Sequence, residues 1–340
     1  MEDQVRRPRR RVTVVDVASA AGVSPGTVSN AISGKRKVDQ DTRARIDRAI
    51  LELGYVPNLA ARGMRTGRTN TIAVFSSMPT AVAAGSARLG FLMEVAASAA
   101  VTALEHNMAL VLVPPIREAS KALSSVPFDG LLMIEPEEDD ANLARLRQRG
   151  IPTMVIGLRD GAPGPGVTMN FQRMAELLIS HLLETGVRHM PLILGQSTRQ
   201  SNLFFRQTYE RMMAQAGLAA RVHVVPEADA ERGASAAILQ DIAAGLPIDG
   251  VLAPIDAMAA GTMAALRQAG LSVPGDVKVA TRYDGFRARS ETPPLTALNL
   301  RLDEVAQIAT AGLIGAIETG GAPILTGPEP RLVVRSSTVG

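Results

Sequence analysis

The chain is predicted to be an α/β protein: a three-helix N-terminal unit, then two lobes built on doubly wound parallel sheets. Three observations predict it. Residues 13–33 read TVVDVASAAGVSPGTVSNAIS, two short helical patterns around a tight turn. From Thr69 onward, short apolar runs alternate with amphipathic stretches, as in parallel sheets with helices on both faces. Two segments that break this alternation, RDGAPGPGV (159–167) and PPLTALNLRLD (293–303), divide it into halves.

The first helix opens at Thr13, with Asp16 three residues on in capping-box spacing. Val14, Val17, Ala18 and Ala21 share one face. Gly22 supplies the positive φ that ends the helix, and Val23 packs the corner. Ser24 caps the second helix and Pro25 takes its first position, where a missing N–H costs nothing. Val28, Ala31 and Ile32 point inward, while Thr27, Ser29 and Asn30 point outward. Two helices crossing at a glycine turn fit a helix-turn-helix, whose polar, uncharged outer face suits base edges and phosphates. Taken alone they also fit a helical hairpin in a core. A third helix is capped near Asp39, carries Ile46, Ala49, Ile50 and Leu53 on one face, and ends at Gly54.

Beyond Thr69 the predicted strands are TIAVF, ALVLV, GLLMI, PTMVI, MPLIL, VHVV, GVLA, VKVAT and RLVV. Helices are predicted near 90–106, 141–149, 172–184, 204–216, 231–244, 257–269 and 303–319. The last returns to the first lobe, and TGPEP (326–330) crosses again. In open sheets of this kind ligands sit beyond the carboxyl ends of the strands, so a cleft is expected there.

Composition narrows the function. With 340 residues, 46% of them hydrophobic, the chain can bury a large core in two or three domains. It contains no cysteine, which excludes disulfides and thiolate metal sites. The four histidines are scattered, so no metal site is expected. No phosphate-binding GxxxxGK, nucleophile-elbow GxSxG or HExxH motif is present, so neither catalysis nor a cofactor is expected. PEEDD (136–140) reads as a charged loop capping the helix after it. No run suggests a membrane span or a signal peptide, so the cytoplasm is the expected compartment. Residues 1–68 carry a net charge of +7 and the remainder −4. A basic module on an acidic body fits nucleic-acid binding, as well as a solubilising tail. Arg6, Arg7, Arg9, Arg10 and Arg11 form an arm suited to phosphate attraction.

VTVVDVASAAGVSPGTVSNAISG, followed by VDQDTRARIDRAILELGYVPNLAARGMRTGRT, resembles the DNA-binding headpiece of the LacI/GalR family of bacterial repressors. The resemblance implies a headpiece over 1–57, a hinge helix over 58–68 and a periplasmic-binding-protein-like sensor over 69–340. Its first lobe would span about 69–160 and 299–325, its second about 168–296 and 328–340. It further implies a homodimer on a pseudopalindromic double-stranded operator, answering to a small molecule in the cleft between the lobes. Thr13, Val14, Ser24, Pro25, Gly26, Thr27, Ser29 and Asn30 occupy the headpiece's DNA-contacting positions. Asn58, Ala61, Arg62, Met64 and Arg65 occupy the hinge's. Met64 stands where the family has a leucine wedge in the minor groove, a place methionine also fills. The hinge is too short to hold as a helix by itself, and Gly63 weakens it further, so it is expected to order on DNA.

In the cleft, gap-free matching places the family's effector positions on Phe205, Ile255–Asp256 and Tyr283. Phe205, Arg206, Asp256, Tyr283 and Asp284 are therefore the candidate effector residues. Phe205 and Ile255 leave ligand hydroxyls unpaired, at about 1–3 kcal/mol each, which disfavours a simple hexose and favours a flatter ligand or a cleft without one. A regulator controlled by a partner protein is the alternative. A transport-type binding protein fits the second part of the chain, but not the first.

Overall fold

A computed structural model describes residues 12–33, 36–56, 67–78, 90–113, 119–158, 161, 164–321 and 323–339. They divide into two compact units, Met1–Thr69 and Asn70–Gly340.

In the first unit, α1 (Val14–Ala21) begins with the full capping box. The Thr13 N–H donates to Asp16 Oδ2 at 2.8 Å, and the Asp16 N–H donates to Thr13 Oγ1 at 3.4 Å. Gly22 closes the helix at φ 64°. In α2 (Pro25–Ser33) the Thr27 N–H donates to Ser24 Oγ at 3.1 Å, so a serine side chain satisfies an otherwise free donor. Asp39 caps α3 (Gln40–Leu53) in the same way through the Thr42 N–H, and Gly54 ends it at φ 61°. Val17, Ala18, Ala21, Val28, Ala31, Ile46 and Ala49 form the core, with Ile50 partly buried against it. Leu53, expected on the inner face, is 37% exposed at the last position of α3.

The second unit holds two six-stranded sheets. The first has the order β11-β5-β4-β3-β1-β2, all parallel. Its strands are β1 (Thr71–Ser76), β2 (Ala109–Val113), β3 (Gly130–Ile134), β4 (Thr153–Leu158), β5 (Gly166–Thr168) and β11 (Ile324–Thr326). The second has the order β12-β10-β9-β8-β6-β7 and is parallel except for β12. Its strands are β6 (Pro191–Gly195), β7 (Arg221–Val225), β8 (Gly250–Leu252), β9 (Lys278–Tyr283), β10 (Thr296–Asn299) and β12 (Arg331–Val333).

The helices of the first half are α4 (Phe91–Glu105), α5 (Ala119–Ser125), α6 (Ala141–Gln148) and α12 (Leu302–Thr319). Those of the second are α7 (Phe171–Glu184), α8 (Gln200–Gln215), α9 (Ala230–Ala243), α10 (Asp256–Gln268) and α11 (Phe286–Ser290). The central strands β3, β4 and β6 are buried along their whole length, which is why they read as unbroken apolar runs. β5, β10 and β11 have only three or four residues, too few for a periodic signal. β5 overlaps the end of the stretch read as the first crossing, and β10 lies inside the second.

The C-terminal segment is buckled onto the second sheet. The Ser337 hydroxyl donates to the Val279 carbonyl at 2.6 Å and accepts from the Thr296 N–H at 2.8 Å. Thr338 Oγ1 lies 2.7 Å from His181 Nε2 on α7. Burial pushes His181 below its usual pKa of 6.5, and nearby Lys278 adds to this, while Glu184 opposes it. The folded chain therefore binds this proton less readily than the unfolded chain. The stability it contributes is present above pH 6.5 and is lost as pH falls from there through the folded value. Thermal unfolding at pH 7.5 and 5.5 should show the wild type losing more than His181→Gln, at about 2–4 °C per kcal/mol. Parallel pH profiles would contradict this.

Candidate functional site

Two places gather the residues singled out by the sequence. The first is α2. Pro25 and Gly26 are exposed at its start, and Thr27, Ser29 and Asn30 are half-buried along its outer face. The Ser24 and Thr27 hydroxyls lie 2.9 Å apart, which fixes the first turn. The helix has no acidic residue in its first turn, so its N-terminal end carries only the favourable field of its unpaired N–H groups. Thr13 is spent on the cap of α1, and Val14 packs on the core. Asn58, Ala61, Arg62, Met64 and Arg65 lie outside the described residues.

The second place is a cavity at the carboxyl ends of both sheets, with about 670 Å³ of atom-free space including its mouth. From the first sheet it takes Ser76 at the end of β1, Phe91 and Leu92 at the start of α4, and Glu135 just past β3. From the second it takes Arg199 just before α8, Ser201 and Asn202 in its first turn, then Glu227, Asp256 and the β9 pair Arg282 and Tyr283.

Room for the buried carboxylates is built into the strands as glycines. A Cβ on Gly157 would stand 2.8 Å from Glu135 Cγ, and one on Gly195 only 2.3 Å from Glu227 Oε1. Glu135 is 2% exposed and sits at φ 38°, a backbone region that β-carbons disfavour. Its Oε1 lies 3.0 Å from Arg282 Nη1, and its Oε2 accepts from Ser201 Oγ at 2.8 Å. Its main-chain oxygen accepts from Arg199 Nε at 3.0 Å. Glu227 Oε1 accepts from the Ser197 N–H at 2.9 Å.

Arg199 is 3% exposed. Its Nη1 lies 3.3 Å from Glu137 Oε1 and 3.9 Å from Glu227 Oε1, without hydrogen-bond alignment to either. Its Nη2, like Arg282 Nε, has no hydrogen-bond acceptor among the described residues. The Arg282 guanidinium lies 5.9 Å from the ring centres of both Phe91 and Phe171, within cation–π range. Phe91 meets Tyr283 edge-on at 5.7 Å. The Tyr283 hydroxyl donates to Glu94 in a short bond; burial and then Glu94 push its pKa up. Burial also raises the pKa of the Asp256 carboxyl, against the lowering effect of Arg287. The floor is thus rich in donors, while one wall is aromatic.

Of the five cleft residues expected from the sequence, Asp256 and Tyr283 line the cavity and three do not. Phe205 is fully buried in the apolar core. Arg206, next along α8, points outward to Glu210 at 2.9 Å. Asp284 turns away to Arg335 Nη2 at 2.7 Å. The physical reason is that α8 begins at Gln200, four residues before the predicted start. Its polar first turn reaches the cavity, whereas Phe205 and Arg206, a turn further on, have already left it. Arg199, Ser201, Asn202 and Glu135 were missed for this reason and because Glu135 follows a wholly apolar strand. The polar TRQSN sequence (198–202), which spans the start of α8, was the available signal. PEEDD does cap the next helix: Asp140 Oδ1 accepts from the Asn142 and Leu143 N–H groups.

Comparison with known proteins adds to this. Residues 13–58 match the sequence family described as bacterial regulatory proteins, lacI family, and residues 179–338 match a periplasmic binding protein-like domain. The HTH-type transcriptional regulator CelR of Thermobifida fusca is 30% identical, over 97% of this chain and 99% of that protein. The ribose operon repressor of Escherichia coli K12 is 29% identical, over 90% of this chain and 93% of that protein. Among solved structures, a CelR–cellobiose complex matches with a TM-score of 0.68 at 26% identity, covering 96% of this chain and all of that one. A lac repressor dimer bound to operator matches in fold with a TM-score of 0.78 at 22% identity, covering 97% of this chain and all of that one.

Proposed function

The chain belongs to the LacI family of bacterial regulatory proteins, and from that premise we propose that it represses transcription as a homodimer on a pseudopalindromic operator, released or recruited by a small molecule in the cavity. It is a DNA-binding transcriptional regulator with an N-terminal helix-turn-helix and a periplasmic-binding-protein-like domain. The observation that carries the finer reading is α2: a capped helix with Pro25, Gly26 and Asn30 toward solvent, on a segment with a net charge of +7. Asn30 pairs with adenine in the major groove, and Ser24, Thr27 and Ser29 stand near the phosphates. Asn58, Ala61, Arg62, Met64 and Arg65 order on the operator, with Met64 wedging a base step in the minor groove. The protein acts in the cytoplasm, where the DNA is; among the described residues no helix is long and apolar enough to cross a membrane.

A second copy is supported by α4, which exposes Ala97, Val101 and Leu104 along one stripe, the last two at 59% and 68%. The cavity supports a metabolite over a partner protein as the controlling signal. Its polar groups come from Arg199, Ser201, Glu135 and Arg282, so a polyhydroxylated ring finds partners that Phe205 and Ile255 do not offer. Phe91 and Tyr283 suit an apolar ring face.

The test is selection of binding sites by the full chain from random-sequence DNA at a stated salt concentration, because phosphate contacts make affinity salt-dependent. An enriched palindrome with an easily kinked centre is expected. Enrichment of single half-sites alone would overturn the dimer and the Met64 wedge.

A further inference from the structure

Glu135 is attached to the first sheet, yet every side chain it binds at the cavity comes from the second. Its carboxylate faces Arg282 at 3.0 Å and Ser201 at 2.8 Å, and its carbonyl holds Arg199 at 3.0 Å. The two halves are joined by three chain crossings, after Thr168, after Asn299 and after Thr326. Such an arrangement opens and closes as a hinge. The residue is held in a disfavoured backbone region, and its side chain fills the space left by Gly157. A carboxylate placed at such cost, in a cavity whose other donors include Arg199 Nη1 and Nη2 and Arg282 Nε, occupies the position a ligand's acceptor oxygens would take.

We propose that Glu135 is an internal stand-in for the effector, a latch that closes the two halves when the cavity is empty and that an effector must displace from Arg282 and Ser201. The inference rests on reading the cavity as the effector site. The latch makes the empty protein resemble the occupied one, and it selects among ligands. A molecule that presents oxygen acceptors to Arg282 Nη1 and Ser201 Oγ takes the donors over. One without them leaves the latch shut. Affinity is then lowered by the fraction of chains that are latched, so loosening the latch strengthens effector binding.

The test uses the full chain without any effector. There is no native cysteine, so Gln148→Cys and Gln240→Cys place one spin label on an exposed position of each half. Labelled chains are mixed with an excess of unlabelled chains, so that distances between copies do not contribute. The wild-type background should give one narrow distance. Glu135→Gln, which keeps size but removes charge, should raise the fraction at a second, longer distance by about tenfold. Ser201→Ala, which leaves the ion pair, should shift the same way but less, and it decides the matter alone if Glu135→Gln does not fold. Distributions that superimpose on the wild type in the folded variants would overturn the latch. A panel of neutral sugars that fails to raise the melting temperature would count against the effector reading while leaving the distance result standing, so the two failures are distinguishable.

Discussion

Arg282→Leu is expected to destabilise residues 70–340 by about 3–5 kcal/mol, read as a lower midpoint in urea unfolding of the full chain. The loss is large because the substitution leaves a charge behind. Glu135 and Arg282 have side chains 2% and 8% exposed, and Glu135 keeps only the Ser201 hydroxyl once the guanidinium is gone. A carboxylate without its counter-ion is costly at that depth. The same reasoning says what restores it: Glu135→Gln added to Arg282→Leu should recover most of the loss, since the amide needs no counter-charge. A double variant as unstable as the sum of the two single ones would show that the pair is not coupled.

Val28→Asp should abolish operator binding and leave the unfolding of the larger unit where it was. Val28 is completely buried in a core of seven side chains, three of them alanines on α1 and α2. Burying an unpaired charge belongs to the small class of substitutions that cost more than about 4 kcal/mol. A three-helix unit of this size has little stability to lose. Binding to a selected operator fragment, followed by fluorescence anisotropy, should fall at least about a hundredfold. The unfolding midpoint of residues 70–340, which have separate cores, should stay within error. Retained binding would mean that α2 is not held by this core.

The helix-turn-helix was legible because its determinants are local. Thr13, Gly22, Ser24, Asp39 and Gly54 each act within four residues of their own position, and each does in the structure what its chemistry demands. The alternation of apolar runs and helices was legible for the same reason, down to the buried strands β3, β4 and β6. The cavity was not. Its residues are brought together by the carboxyl ends of two sheets, and no periodicity announces which side chain tops a strand. Asp256 and Tyr283 were found by position in a family pattern. At Phe205 that position lies in the apolar core, because α8 starts four residues earlier than predicted and brings Arg199 to the cavity instead. Glu135 carries no signal in sequence: it follows GLLMI and opens an acidic stretch that reads as solvent-facing, and only Gly157, a strand away, shows that space was left for it.

The interleaving of the two halves has a consequence for how the protein is made. α12 covers β3 and β4: a Cβ on Gly130 would stand 2.8 Å from Ile317, and one on Gly312 would stand 2.9 Å from Met154. The first sheet can therefore be finished only after α12 and β11 have left the ribosome. At ribosomal rates the interval between β3 and α12 is roughly 10–40 s. During that time the apolar faces of β3 and β4 await their cover while the helices and central strands of the second half are being made. The half translated first thus waits longest for its cover, while the second sheet, made later, is itself completed only by β12 and the C-terminal buckle, so nascent chains of this protein will present a chaperone with the first sheet for longer than the second.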